Sequence, residues 1–303
     1  MIDEKMGRAL SMEELRSFQG RMMGAEDLIS SIRSYRPKPS DVVIAPFGKC
    51  GTTWLQQVFH CLRTGGDMDF DDISRVVPWI ETAGLLGIDL NAAQRAEPRG
   101  FKSHLSFSAL PKGARYMVSV RDPKDAVVSM HKFMEGWFLE PGAVSADEFT
   151  TWWVERDLGN NYWAHFLSWW EQIDNPDVLL LGYEHMNDDP VLAIRRVAEF
   201  CDLTLDDDLL ELTLEQSSIG FMLRHKDRFD DLMMREASER KCGLPPGSDS
   251  AKVRKGGAGG HRGVLSEASI ALLDRKWAQV IEPATGLRDY AAADAALRRR
   301  ARA

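Results

Sequence analysis

Several things are scarce in this 303-residue chain, and each scarcity closes off a class of function. No run of about 18 apolar residues occurs, and the opening MIDEKMGRAL lacks the apolar core of a secretion signal, so the reading expects no stable membrane insertion and a cytoplasmic location. Cysteine is limited to Cys50, Cys61, Cys201 and Cys242. They are scattered, with no C-x-x-C pair and no Cys/His metal spacing, which suits a reducing compartment and offers no metal site. Positive charge is in deficit: 38 Lys and Arg stand against 46 Asp and Glu, a net charge of −8. That balance speaks against a nucleic-acid partner, and any anionic ligand must be held by cations gathered locally. No internal repeat is present. What is plentiful is apolar content, 44%, enough for a large core. Strand-like and helix-like stretches alternate throughout, so the expectation is one α/β domain over residues 1–303. Its central, mainly parallel sheet would be flanked by helices.

The stretch that organises the chain is VVIAPFGKCGTTWLQQVFHCL, residues 42–62. Val42 to Ala45 is short, apolar and β-branched, fit for a strand buried on both faces, and Pro46-Phe47-Gly48 ends it. From Gly51 the period becomes helical: Trp54, Leu55, Val58, Phe59 and Leu62 share a face, and Gly65-Gly66 supplies the stop. Lys49, Gly51, Thr52 and Thr53 therefore occupy a strand–loop–helix junction like that of a P-loop. Free backbone N–H groups and the helix dipole favour phosphate at such a junction. The ordinary phosphate loop G-x-x-x-x-G-K-[ST] is not matched, because Cys50 follows Gly48-Lys49 and the lysine precedes the turn.

Two further stretches add chemistry. Gly100 to Leu105 follows Pro98 and reads as a strand ending near His104, which places an imidazole where open α/β sheets put their ligands. A histidine there is a general-base candidate or an ordinary packed side chain. Tyr116 to Val120 is a buried strand that runs into Arg121-Asp122-Pro123-Lys124-Asp125, with Asp122 as N-cap and Pro123 at the first helical position. Arg121 and Ser129 can meet at one phosphate, since arginine grips phosphate oxygens with a fork of donors. A fourth buried strand, Val178 to Gly182, precedes Tyr183-Glu184, and Asp189-Pro190 opens an amphipathic helix over residues 190–201.

The order Lys-x-Gly-Thr-Thr-Trp resembles the cofactor loop P-K-S-G-T-T-W of the sulfotransferases, which use 3′-phosphoadenosine-5′-phosphosulfate (PAPS). F-K-S-H-L resembles that family's K-T-H-L-P, with Ser103 in place of Thr and Ser106 in place of Pro. R-D-P-K-D-A-V-V-S at 121–129 resembles R-N-P-K-D-x-x-V-S, and R-K-G-G-A-G-G at 254–260 resembles R-K-G-x-x-G-D-W-K, with Gly260-His261 replacing Asp-Trp. The resemblance spans roughly residues 42–266 and keeps the family order. It implies a P-loop-like α/β fold and transfer of a sulfuryl group from PAPS, as co-substrate, to a hydroxyl or amine. His104 would be the general base, Lys49 the partner of the leaving phosphate, and Lys102 a neighbour of the sulfuryl oxygens. Lys49, Cys50, Gly51, Thr52, Thr53 and Trp54 would hold the 5′-phosphate and one face of the adenine. Arg121, Ser129, Arg254, Lys255 and Gly256 would hold the 3′-phosphate, with Tyr183 and Ser217 at the base. Ile219 stands where the family has an aromatic residue. No metal is expected, because the transferred group carries less charge than a phosphoryl. The dimer motif K-x-x-x-T-V-x-x-x-E is not recognisable.

Other assignments stay open at this level. Phe107, Trp79, Trp137 and Phe138 hint at an apolar acceptor such as a phenol, alcohol or lipid, or are simply core. His165, within an aromatic helical stripe around Trp163 and Trp169, is a packed histidine by default or an acceptor-pocket residue. Cys50 is a low-pKa thiol or a small residue in place of serine. Residues 1–40 read as a helical lead-in, 222–252 as a candidate mobile lid or a solvated linker, and 291–303 as a basic helical tail. The rival functions are a P-loop nucleotide kinase or NTPase, and a non-catalytic nucleotide-binding protein on the same fold.

Overall fold

A computed structural model of the protein describes residues 7–22, 24–156 and 159–302. The first six residues of the expected lead-in and the last residue of the basic tail lie outside them. Four strands, β1 (Val42–Ile44), β2 (Gly100–Lys102), β3 (Arg115–Val120) and β4 (Val178–Gly182), pair in parallel in the order β2-β1-β3-β4. Each returns to the same end of the sheet through helical segments, as parallel pairing requires. The strands are short and continuously buried because both faces are covered. Val42, Ile44, Met117, Leu179 and Leu181 enter one core, and Val43, Tyr116, Val118, Val120, Val178 and Leu180 enter the other. Burying a side chain of this size contributes about 1.5–3 kcal/mol, so the alternation fixes the register of every strand.

Helix Thr52–Thr64 lies in the first core through Leu55, Val58, Phe59 and Leu62, and it ends at Gly65, whose φ of 67° closes the last turn. Helices Pro190–Phe200 and Asp207–Ser217 complete that layer. The opposite layer is helix Pro123–Trp137, helices Ala146–Glu155 and Tyr162–Trp170, and the long helix Glu267–Thr285. The tryptophan stripe belongs to it: Trp153, Trp163 and Trp169 are all fully buried.

The strand ends shift from their sequence-based bounds by a residue or two. β2 stops at Lys102, and the Ser103 amide donating to the Ile44 carbonyl is the last bond that joins it to β1. The 67–98 segment forms short helical pieces, Ile73–Val76, Ile80–Thr82 and Ala83–Leu86. Trp79 bridges alongside Lys102 on the free side of β2. The basic tail is a helix, Tyr290–Arg302, with an apolar face. Tyr290, Ala293 and Leu297 are buried, and Arg298 pairs with Asp188 and Asp294. Far from the ligand-facing end, Arg99 donates to Asp41 at 2.6 Å with both side chains fully buried, and Tyr35 donates to the same carboxylate. No helix among the described residues is long and apolar enough to cross a membrane.

Candidate active site

All four strands deliver their following residues to one end of the sheet. Lys49 comes from β1, Lys102 and His104 from β2, Arg121 from β3 and Tyr183 from β4. Open parallel sheets place ligands at this carboxyl end.

The β1 loop is built for close approach. Lys49 and Gly51 both have positive φ, 70° and 99°. A Cβ on Gly51 would come within 2.9 Å of the Tyr183 ring and 3.1 Å of Ser119 Oγ, so only glycine fits without displacement. Gly51 is also the N-cap of helix Thr52–Thr64 and offers no capping side chain, which leaves the first helical N–H groups for another acceptor. Thr52 Oγ1 is buried with no hydrogen-bond partner among the described residues. Thr53 and Trp54 are half-buried at the same turn.

Arg121 ties this loop to the glycine-rich one. Its guanidinium donates to the Lys49 carbonyl at 3.0 Å and the Gly257 carbonyl at 3.1 Å, lies 4.3 Å over the Tyr183 ring, and leaves Nε buried without a partner among the described residues. Asp125, on the first turn of the helix that carries Ser129, accepts from the amides of Gly259 and His261 and from His261 Nδ1. It thereby pins the glycine-rich loop beside Arg121 and Ser129. Arg254, Lys255 and Gly256 are exposed on that loop, and a Cβ on Gly256 would meet the exposed Ile219 at 3.4 Å.

The lysines sit in altered electrostatic surroundings. Burial, then the neighbouring Lys252 ammonium, pulls Lys49 down to about 7, and its Nζ lies 4.4 Å over the Phe133 ring. Burial also lowers Lys102, to about 8, against the opposing effect of Asp231. Lys102 Nζ lies 3.9 Å over the Trp79 ring and 3.4 Å from Asp231 Oδ1.

His104 donates from Nδ1 to the carbonyl of Pro46 at 2.7 Å, in the same loop as Lys49. A carbonyl can only accept, so the neutral ring carries its proton on Nδ1 and Nε2 is the free acceptor. Burial, reinforced by Lys102, lowers its pKa to about 3. The ring stands edge-on to Trp79 at 5.1 Å, while Glu81 accepts from its amide and Asn160 donates to its carbonyl.

The structure bears on three residues whose readings the sequence left open or assigned to the site. Cys50 is fully buried, and burial pushes its thiol up to about 12, which agrees with the small residue in place of serine rather than the low-pKa thiol. Its carbonyl, held by Ser119, is what shapes the loop. Ser217, the last residue of its helix, is buried and donates its hydroxyl to the Thr213 carbonyl one turn back. His165 donates its Nε2 proton to the Ala45 carbonyl at 3.0 Å and packs against Phe47, beneath the sheet end rather than facing the site. Of the four acceptor candidates, Trp79 touches both His104 and Lys102. Phe107 packs on Tyr116 and Trp169, and Trp137 stacks on Phe138. Residues not singled out from the sequence also converge here: Phe133, Asp125, Asp231 and Lys252. Asp125 stands inside the R-D-P-K-D run and was findable there, whereas Asp231 and Lys252 sit in a stretch with no pattern. A separate groove of about 1340 Å³ between the 69–78, 88–95 and 227–235 segments is lined by none of the sequence-derived site residues.

The family model for the sulfotransferase domain matches residues 39–282. Luciferin sulfotransferase of Photinus pyralis is 27% identical over 275 residues, which is 80% of this chain and 72% of that protein. Human sulfotransferase 1C2 is 25% identical over 73% of this chain and 78% of its own. Among solved structures, retinol dehydratase with retinol and PAP superposes with a TM-score of 0.70 at 18% identity, covering 91% of this chain and 96% of the other. A mouse sulfotransferase complexed with PAP gives 0.67 at 20% identity, covering 86% and 91%.

Proposed function

Because the chain belongs to the sulfotransferase family, we propose that it takes a sulfuryl group from PAPS and gives it to the hydroxyl or amine of a small, largely apolar acceptor, with the cofactor loop, Arg121 and His104 dividing the work. The observation that carries the donor assignment is a pair of buried polar atoms without a partner among the described residues, Thr52 Oγ1 and Arg121 Nε, near the uncapped Gly51 turn. Buried polar atoms are normally satisfied, so donors left over beside a helix N-terminus call for an anion.

PAPS would supply an activated sulfur whose bond to the 5′-phosphate oxygen breaks as the acceptor–sulfur bond forms. The amides of Gly51, Thr52 and Thr53, with the Thr52 hydroxyl, would hold the 5′-phosphate. Arg121, Ser129, Arg254, Lys255 and Gly256 would hold the 3′-phosphate, and the Asp125 anchor keeps their loop in reach. Trp54 and Tyr183 would flank the adenine, on a platform narrowed at Ile219. His104 Nε2 would take the acceptor's proton, and its depressed pKa keeps that lone pair available at neutral pH. Lys49 would meet, in its protonated form, the charge that develops on the departing phosphate oxygen. Trp79 beside His104 and Phe133 beneath Lys49 favour an apolar acceptor body.

The test is incubation of purified protein with PAPS and a panel of phenols, alcohols, amines and lipids, read by mass spectrometry for sulfated product, with and without EDTA. The expected outcome is product whose formation is unchanged by EDTA. Turnover of ATP that EDTA abolishes, without sulfated product, would favour a kinase or NTPase instead.

A further inference from the structure

A charged cluster joins the 230–252 segment to the transfer site. Asp231 is 2% exposed, and its Oδ1 accepts from Lys252 Nζ at 2.7 Å, Lys102 Nζ at 3.4 Å and Ser74 Oγ at 3.4 Å. Burial alone would raise this carboxyl, but Lys102 and Lys252 outweigh it and hold it well below the usual range. Lys252 is held with equal firmness. Its side chain is 8% exposed, and the backbone just before it crosses helix Pro123–Trp137 at Gly136, where an added Cβ would lie 2.4 Å from the Asp249 carbonyl oxygen. Ser250 donates to Asp230, and the Met233 amide donates to Asp72, which fastens both ends of the segment.

The charges here do not balance. Lys252, Arg121 and Lys102 act on Lys49, and the carboxylates that oppose these four cations are Asp231, Asp72, which already accepts two backbone amides, and Asp125 beside Arg121, which already accepts three bonds from the glycine-rich loop. Buried cations in excess are costly unless an anion joins them. We propose that Lys252 is a third lysine of the transfer site, presenting its ammonium to the sulfuryl end of the donor, and that Asp231 is the positioning residue that holds Lys252 and Lys102 in place. This rests on the sulfotransferase reading above. Lys252 takes no proton in the step: the acceptor's proton goes to His104 and the electron pair of the breaking S–O bond stays on the phosphate. Its part is to hold sulfuryl oxygens while the sulfur changes partner.

Titration calorimetry with PAPS and with PAP, in the absence of acceptor, separates contacts to the sulfuryl group from contacts to the rest of the nucleotide. Lys252→Met is expected to weaken PAPS about tenfold and PAP less than about twofold, since a charge-assisted contact is the one removed, and Lys252→Arg should restore part of the loss. Equal weakening of both nucleotides, or of neither, overturns the role of Lys252 while leaving the family reading intact. A wild-type chain that binds neither nucleotide overturns the donor assignment itself. Asp231→Asn removes the counter-charge from Lys102 and Lys252, which also face Lys49, Arg121, His104 and Asp72. Lys102, already lowered to about 8, should then lose its proton at lower pH, so the preference for PAPS over PAP should fall more steeply between pH 6.5 and 8.5 than in the wild type. A preference with the wild-type pH course refutes the positioning role. Should the buried Asp231 variant fail to fold, the two Lys252 variants decide the proposal on their own.

Discussion

Gly51 is where the loop geometry can be tested with least ambiguity, by comparing Gly51→Ala with Gly48→Ala three residues earlier. At Gly51 the backbone has φ of 99°, and the added Cβ meets the Tyr183 ring at 2.9 Å and Ser119 Oγ at 3.1 Å. A left-handed conformation costs an L-residue about 1–2 kcal/mol. Overpacking against a ring that is wedged under Arg121 adds roughly 1–3 kcal/mol. A loss of about 2–5 kcal/mol in the ligand-free protein follows from adding those two effects. At Gly48 the φ is ordinary and the nearest atom is Met130 Cε at 2.7 Å, the end of a flexible side chain that can turn aside. Gly48→Ala should therefore cost less than about 1 kcal/mol. Urea unfolding of both variants, with and without PAP, reads the effects separately. A ligand at a hundred times its Kd stabilises the native state by about 2.7 kcal/mol. Gly51→Ala should also lose most of that increment, because Tyr183 cannot move without moving Arg121. Wild-type stability and a full PAP increment in Gly51→Ala would refute the argument that this loop is closed to a side chain. Equal losses in the two variants would do the same.

His104→Ala should lower kcat by about 10²–10⁴ while PAP affinity stays within about twofold, and full turnover in the variant would remove the base assignment. Arg121→Ala should weaken PAP far more than AMP, measured by calorimetry, because only PAP carries a 3′-phosphate; parallel losses would contradict that placement. With Lys49 lowered to about 7, its ammonium is intact below neutrality and is lost as pH rises through that value, so PAP affinity should decline from pH 6.5 to 8.5. Lys49→Met should flatten the curve. His104, lowered to about 3, stays neutral well below pH 6, so kcat/KM should show no acid limb at the ordinary histidine value; a limb near 6.5 that vanishes in His104→Gln would refute its burial. Asp41→Asn leaves the buried Arg99 without its ion partner and should cost about 3–5 kcal/mol in urea unfolding. PAP affinity of the folded variant should be unaltered, since the pair lies at the opposite end of the strands.

Short-range order in the chain was enough to indicate the scaffold and the residues that the sheet gathers at one end. Val42 to Ala45 is apolar without alternation because both faces of a parallel strand are covered, and the change of period at Gly51 marks a helix start that no distant contact is needed to specify. Asp122-Pro123 reads as a helix N-terminus for an equally local reason, and there the Asp122 side chain caps the Lys124 amide. The topology of the sheet then brings Lys49, His104, Arg121 and Tyr183 to one end, because every parallel strand points its carboxyl end the same way.

Local text could not say which way a side chain turns within an element. Ser217 looked available for a ligand, but the course of its helix gives its hydroxyl an internal acceptor. Cys50 sits at a helix N-terminus that would favour a thiolate, yet complete burial drives its thiol the other way. The tail reads as a solvated run of arginines, and only the packed molecule supplies the apolar surface that takes Tyr290, Ala293 and Leu297. Asp231 and Lys252 are the sharpest case. Neither lies in a periodic or motif-bearing stretch, and their electrostatic meaning exists only once Gly136 lets the backbone cross a helix and Lys102 arrives from β2. The sequence by itself determined the elements and which residue types stand at the strand ends, both of which depend on neighbours in the chain. The tertiary structure alone decided which charges are buried together, because desolvation and pairing depend on what lies across space.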